Sequence, residues 1–171
     1  MFKKIAFFLF MIIATGTAVA QTAEQEASLK AVFIYNFTRY IDWGNITGEP
    51  DFVIAVVGSS PMERSIVEIA KTNTVGGKHI VIRHFNKPEE IGFCNILFIP
   101  KDCPFALGNI LDRIARGVVT ISEKPGWGRL GTAFNFVLQH DKLKFEANLK
   151  AIEDAGVKVS SQLLKLANIV N

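Results

Sequence analysis

The sequence predicts an α/β protein: a three-layer sandwich in which a mostly parallel sheet of about six strands, with a C-terminal antiparallel hairpin, carries helices on both faces. Three observations support that prediction. Phe52-Val-Ile-Ala-Val-Val57 and Cys94-Asn-Ile-Leu-Phe-Ile99 are near-continuous apolar runs, as found in strands buried on both faces. Segments of helical periodicity alternate with such runs, which is the pattern of parallel strands joined by crossover helices. From Ala133 the pattern changes to period two, the signature of a half-buried antiparallel pair.

Taken in order, the first segment is not part of the fold. Lys3 and Lys4 precede an apolar run from Ile5 to Ala14, and the segment ends in Ala18-Val19-Ala20, the three-part pattern of a secretory signal peptide. A membrane-spanning helix needs about 20 apolar residues, roughly twice this run. Cleavage after Ala20 is the expectation, against an uncleaved anchor, and residues 21–171 then form one domain. Between Ala27 and Trp43, the residues Leu29, Val32, Phe33, Phe37, Tyr40 and Ile41 recur at helical spacing, and Ala31, Ile34 and Tyr35 widen the stripe. So apolar a helix is either covered on two sides or part of a contact surface.

After the strand Phe52–Val57, Gly58-Ser59-Ser60-Pro61 offers serine caps and a proline at the first helical position, so a helix follows from Pro61 to about Lys71. Gly76-Gly77 turns the chain into a strand at His79–Arg83, and Cys94–Ile99 is the next. Pro104 to Arg116 reads as a helix stopped by Gly117, before a strand at Val118–Ile121. Ala133–Leu138 and Lys142–Glu146 form the hairpin about His140-Asp141. A helix from Ala147 to Ala155 ends at Gly156, and a last one spans Ser161–Val170, capped by Ser160 with Val159 stapled onto Leu164. A nucleophilic reading of Ser160-Ser161 lacks a neighbouring base.

Composition narrows the function. Without Lys3 and Lys4 the 19 basic side chains fall to 17, against 16 acidic ones, so the mature chain is nearly neutral. Nucleic acid normally requires a basic stripe, and none is present. There is no H-E-x-x-H, Walker lysine loop, G-x-S-x-G or C-x-x-C. His79, His84 and His140 fall on different elements, so neither a metal site nor a cofactor is expected. Asn36-Phe-Thr38 and Asn45-Ile-Thr47 fit glycosylation sequons, which matter only in a eukaryotic secretory pathway.

Lys124-Pro-Gly-Trp-Gly-Arg-Leu-Gly131 contains a literal G-x-G-x-x-G, the spacing that cradles a dinucleotide pyrophosphate. That chemistry needs a strand immediately before the glycines and a helix immediately after them. Here Ser122 to Pro125 intervenes and a hairpin strand follows, so the motif reads as a turn of small residues. Trp127 and Arg129 within it are residue types favoured as contact anchors, and the alternative is a Trp folded back over the sheet. A second candidate is a small-ligand crevice at the strand C-termini, near Ser59, Ser60, Lys101 and Ser122, where open α/β sheets bind ligands; plain helix capping also accounts for the serines. Cys94 and Cys103 are the only cysteines, and secretion permits a bridge. A straight strand from Cys94 to Ile99 carries the chain about 16 Å away. The following residues must double back almost fully to bring the Cα atoms within about 5.5 Å, so free thiols remain the other reading.

Several segments together resemble the YfiR family of bacterial periplasmic proteins. They are Lys30-Ala-Val-Phe-Ile-Tyr-Asn-Phe37 with Trp43, Phe52–Gly58, Cys94–Ile99, Phe145-Glu-Ala-Asn148, and the ending Ala155-Gly-Val-Lys-Val-Ser-Ser-Gln-Leu-Leu-Lys-Leu-Ala167, the most specific piece. The resemblance covers nearly the whole mature chain. It implies a periplasmic, non-enzymatic homodimer that binds the sensing domain of an inner-membrane diguanylate cyclase and keeps cyclic-di-GMP synthesis low. An outer-membrane lipoprotein with a peptidoglycan-binding domain would sequester it. By motif position, residues implicated in repression resemble Phe134, Glu146 and Ile152 here, although Phe134 and Ile152 also read as core residues. Relatives carry a disulfide around the glycine loop and hairpin and another at the position of Cys94. This chain has no cysteine from Pro104 onward, so redox control of that kind is not expected.

Overall fold

The computed structural model describes residues 23–44 and 49–171. The signal-peptide segment and the Asn45-Ile-Thr47 sequon lie outside the described residues. Helix α1 spans residues 23–40 and passes into a two-residue strand, β1 (Ile41–Asp42). Then follow β2 (Phe52–Val57), α2 (Met62–Thr72), β3 (Thr74–Val75), β4 (Lys78–Phe85), a 3-10 turn (Pro88–Glu90), β5 (Ile96–Ile99) and α3 (Leu107–Leu111). The remainder is β6 (Val119–Ser122), β7 (Phe134–Gln139), β8 (Lys142–Asn148), α4 (Leu149–Ala155), β9 (Lys158–Val159), α5 (Ser161–Leu164) and β10 (Asn168–Val170).

Eight strands form one sheet in the order β10-β8-β7-β6-β5-β2-β4-β3. Strands β4, β2, β5, β6 and β7 are parallel to their neighbours in that series, while β8 returns antiparallel to β7. The predicted α/β sandwich with a C-terminal hairpin is the observed fold. All six residues of β2 are buried because both faces are covered. Phe52, Ile54 and Val56 meet α1 and α2 through Ile34, Phe37, Met62 and Ile66, whereas Val53, Ala55 and Val57 meet Leu107 and Ile110 of α3. Strand β7 joins β6 at its start alone, Ile121 opposite Phe134 and Ser122 opposite Asn135. The hairpin turn places His140 at φ 51° and Asp141 at φ 58°, both left-handed, as a two-residue turn that matches the strand twist requires.

The structure corrects several expected boundaries. The first helix covers residues 23–40 and not Ala27–Trp43; it ends early because residues 41–42 pair antiparallel with β9. The helix expected over Pro104–Arg116 is one short turn, α3. Beyond it Arg113 and Ile114 donate back three residues as turns, and Gly117 N donates to Ala155 O at 2.8 Å, which draws the segment toward α4. The last predicted helix stops at Leu164, and Asn168–Val170 is a strand instead. It pairs parallel with β8, Asn168 opposite Glu146 and Val170 opposite Asn148, so satisfying an open sheet edge outweighs local helical periodicity. Ser160 does cap α5, its Oγ accepting from Gln162 N.

Candidate functional site

The glycine loop between β6 and β7 folds as a series of tight turns, with Gly126 at φ +81° and Gly131 at φ +120°. Gly128 is glycine for another reason: a Cβ there would lie 2.5 Å from Glu146 Oε2 and 3.2 Å from Asn135 Cβ. The middle glycine of the motif therefore lets the loop backbone press on the hairpin, not on a pyrophosphate. Asn148 Nδ2 donates to Gly128 O at 2.8 Å and fixes that approach, while Asn148 Oδ1 accepts from Ala151 N and caps α4.

Beneath the loop lies a buried polar network. Asn135 is paired across the hairpin with Glu146, and its Nδ2 donates to Glu146 Oε2 at 2.9 Å. Asn135 Oδ1 accepts from Ser122 Oγ, which also meets Thr132 Oγ1 at 3.3 Å. Ser122, Thr132 and Asn135 are each fully buried, whereas Glu146 is half-buried and brings the network to the surface. Among the described residues every buried side-chain nitrogen and oxygen is hydrogen-bonded, those of this network included.

The residues singled out in the sequence do not form one surface. Phe134 is fully buried and packs on Phe37 of α1, and Ile152 of α4 is buried in the same aromatic cluster. Glu146 faces the opposite side of the hairpin, under the loop. Trp127 is half-buried against the α3-side core with Lys124 Nζ 4.7 Å from its ring centroid, so it is largely folded back over the sheet. Arg129 and Leu130 are exposed at the loop tip.

Ser59, Ser60, Lys101 and Ser122 do fall at the C-terminal ends of β2, β5 and β6, Ser122 as the last residue of β6. Two of their hydroxyls have partners: Ser60 Oγ accepts from Met62 N while Ser60 N donates to Glu63 Oε1, a capping box, and Ser122 belongs to the polar network. Between them Glu123 accepts from Lys101 N at 3.0 Å and pairs with Lys30 of α1, which also holds Glu26 at 2.6 Å. Burial, the largest influence on Lys30, would lower its pKa, but hydrogen bonds and charge from Glu123 and Glu26 outweigh it and hold it above 10.5. This pair fastens α1 to the sheet edge across 93 residues of sequence, and nothing local in the chain announces it.

Cys94 and Cys103 are free and buried, so the candidate bridge is not formed. Cys94 precedes β5 and Cys103 follows a turn beyond its far end, and burial pushes the Cys94 thiol up to about 12 against a small opposing effect of Arg83. Among the described residues no group of three or more His, Cys, Asp or Glu side chains is arranged to hold a metal ion. On the solvent side of α1, Leu29, Val32 and Tyr40 are exposed.

A family model described as DUF4154, YfiR/HmsC-like, matches residues 27–168, from the first turns of α1 into β10. That span takes in the aromatic core, the glycine loop and the Asn135–Glu146 network. Members of this family are periplasmic regulators of diguanylate cyclase signalling, not catalysts. The chain belongs to the YfiR/HmsC-like family.

Proposed function

We propose that this protein binds the periplasmic sensing domain of an inner-membrane diguanylate cyclase and represses it, lowering cyclic-di-GMP. The observation that carries this reading is the family match over residues 27–168. Within that span Glu146 is the natural regulatory element, a half-buried carboxylate held by Asn135 and pressed by the glycine loop. Arg129 at the loop tip contacts the partner, and Trp127 sets the loop's height above the sheet. Phe134 and Ile152 are buried and act as positioning residues, through the shape of the hairpin and α4.

The same reading places the mature chain in the periplasm as a homodimer, with an outer-membrane peptidoglycan-binding lipoprotein as the sequestering partner. Exposed Leu29, Val32 and Tyr40 supply apolar surface of the kind such contacts use. Deleting the gene tests the proposal. Cyclic-di-GMP and biofilm should rise and should be restored by the wild-type gene, but not by a Glu146→Arg variant exported to equal levels. Unchanged cyclic-di-GMP on deletion, in cells that retain the cyclase, contradicts it.

A further inference from the structure

On the sheet face opposite α1, a groove of about 770 Å³ opens between α3, α4 and the glycine loop. Its volume falls within the range of small-molecule sites, which is roughly 300–1,000 Å³. Leu111, Ile114, Val118 and Ala151 make an apolar floor, with Leu130 of the loop as one wall. Thr120 and Asn148 are the polar groups at the back, and both are already engaged: Thr120 Oγ1 accepts from Ala133 N, and Asn148 bonds Gly128 O and Ala151 N.

The charged rim is unbalanced. It carries Arg116, Arg129 and Lys150 against the side chain of Asp154, which is paired to Lys150 at 3.0 Å, and Asn171 also lies in the lining. That leaves Arg116 and Arg129 without a carboxylate partner among the described residues. The Arg116 side chain lies against the α4 C-terminus, where a Cβ on Gly156 would come within 2.6 Å of Nε.

We propose that this groove binds a small amphipathic carboxylate, its apolar body on Leu111, Ile114 and Val118 and its carboxylate at the Arg116 and Arg129 rim. The guanidinium fork matches a carboxylate, and the apolar floor suits a hydrocarbon body better than the hydroxyl-bearing ring of a sugar. Such a ligand would touch both α4 and the loop that presses on Glu146. The inference goes beyond the proposed repression and does not depend on it.

Titrating the isotope-labelled protein with octanoate and with 4-phenylbutyrate, followed by amide NMR, tests it. At least one acid should give saturable shifts at Leu111, Val118, Leu130 and Ala151, and octanamide and 4-phenylbutanamide should bind about tenfold more weakly or worse. Arg116→Gln and Arg129→Gln should each weaken binding by about the same factor at unchanged melting temperature; two variants are used because Arg116 also packs on α4. Absence of saturable binding by both acids at millimolar concentration overturns the proposal. So do equal affinities of acid and amide, or shifts confined to the separate groove of Arg39–Asp42 and Lys158–Gln162.

Discussion

Over β7 and β8 the side toward α1 is filled by Phe33, Phe37, Phe134, Phe136 and Phe145, ring against ring at centroid distances of 4.9–6.2 Å. The side toward the glycine loop holds Ser122, Thr132, Asn135 and Glu146, joined by directional hydrogen bonds. The same two strands separate these environments, because alternate residues point to opposite faces. Apolar stabilisation grows with the area removed from water, and five rings bury a large area, so the aromatic side is where the hairpin gets most of its stability. A polar network in a low-dielectric setting loses much when one member is left unpaired, so a contact that moved Glu146 would be felt at Asn135 and Ser122.

The largest effect that would test this division is on the aromatic side. Phe37→Ala should cost about 3–5 kcal/mol, read from urea unfolding, because it removes a ring that touches four others. A loss below 1 kcal/mol (on the order of a surface change) would mean that the aromatic cluster does not anchor α1. Lys30→Met should cost about 1.5–3 kcal/mol by leaving Glu123 without its cation. Because the folded pKa of Lys30 is raised, its contribution is fully present below about 10.5 and lost as pH rises beyond. Wild type and variant should therefore converge in stability in alkali; a gap that persists there rules out the ion pair.

On the loop side, Gly128→Ala should cost about 1–3 kcal/mol through the clash with Glu146 and Asn135. Removing the carboxylate with Glu146→Ala should recover part of that loss, since residues in contact are not additive. Additive losses would show that the loop and Glu146 are not coupled. Asn148→Ala should cost about 1 kcal/mol from the lost α4 cap. The smallest expected effect is chemical: Cys94 and Cys103 should resist a thiol reagent at neutral pH while folded and react on unfolding, as buried thiols do.

The legibility of the molecule in its sequence divides along similar lines. Phe52–Val57 and the Ile96–Ile99 part of the Cys94–Ile99 run announced themselves because a strand covered on both faces must be apolar throughout, and the hairpin because its alternation changes at a turn; Cys94 and Asn95 precede the strand. Elements that exist only through a partner were not legible. Asn168–Val170 becomes a strand because β8 offers an edge, and residues 41–42 because β9 lies alongside. In the candidate site, the flanking segments sufficed to exclude a dinucleotide from the glycine motif. That Gly128 is glycine because of Glu146 depends on a fold that brings positions 18 residues apart into contact, from 128 to 146. Glu146 itself left a trace, as a carboxylate in the middle of a strand next to buried Phe145 and Ala147.

Repression by direct contact is the central claim, and binding measures it most directly. The purified protein should be titrated calorimetrically with the periplasmic domain of the diguanylate cyclase whose loss abolishes the deletion phenotype. Saturable binding that Glu146→Arg weakens by about tenfold or more is the predicted result. Absence of binding, with both proteins folded, or binding that is indifferent to Glu146 and the loop, would contradict it.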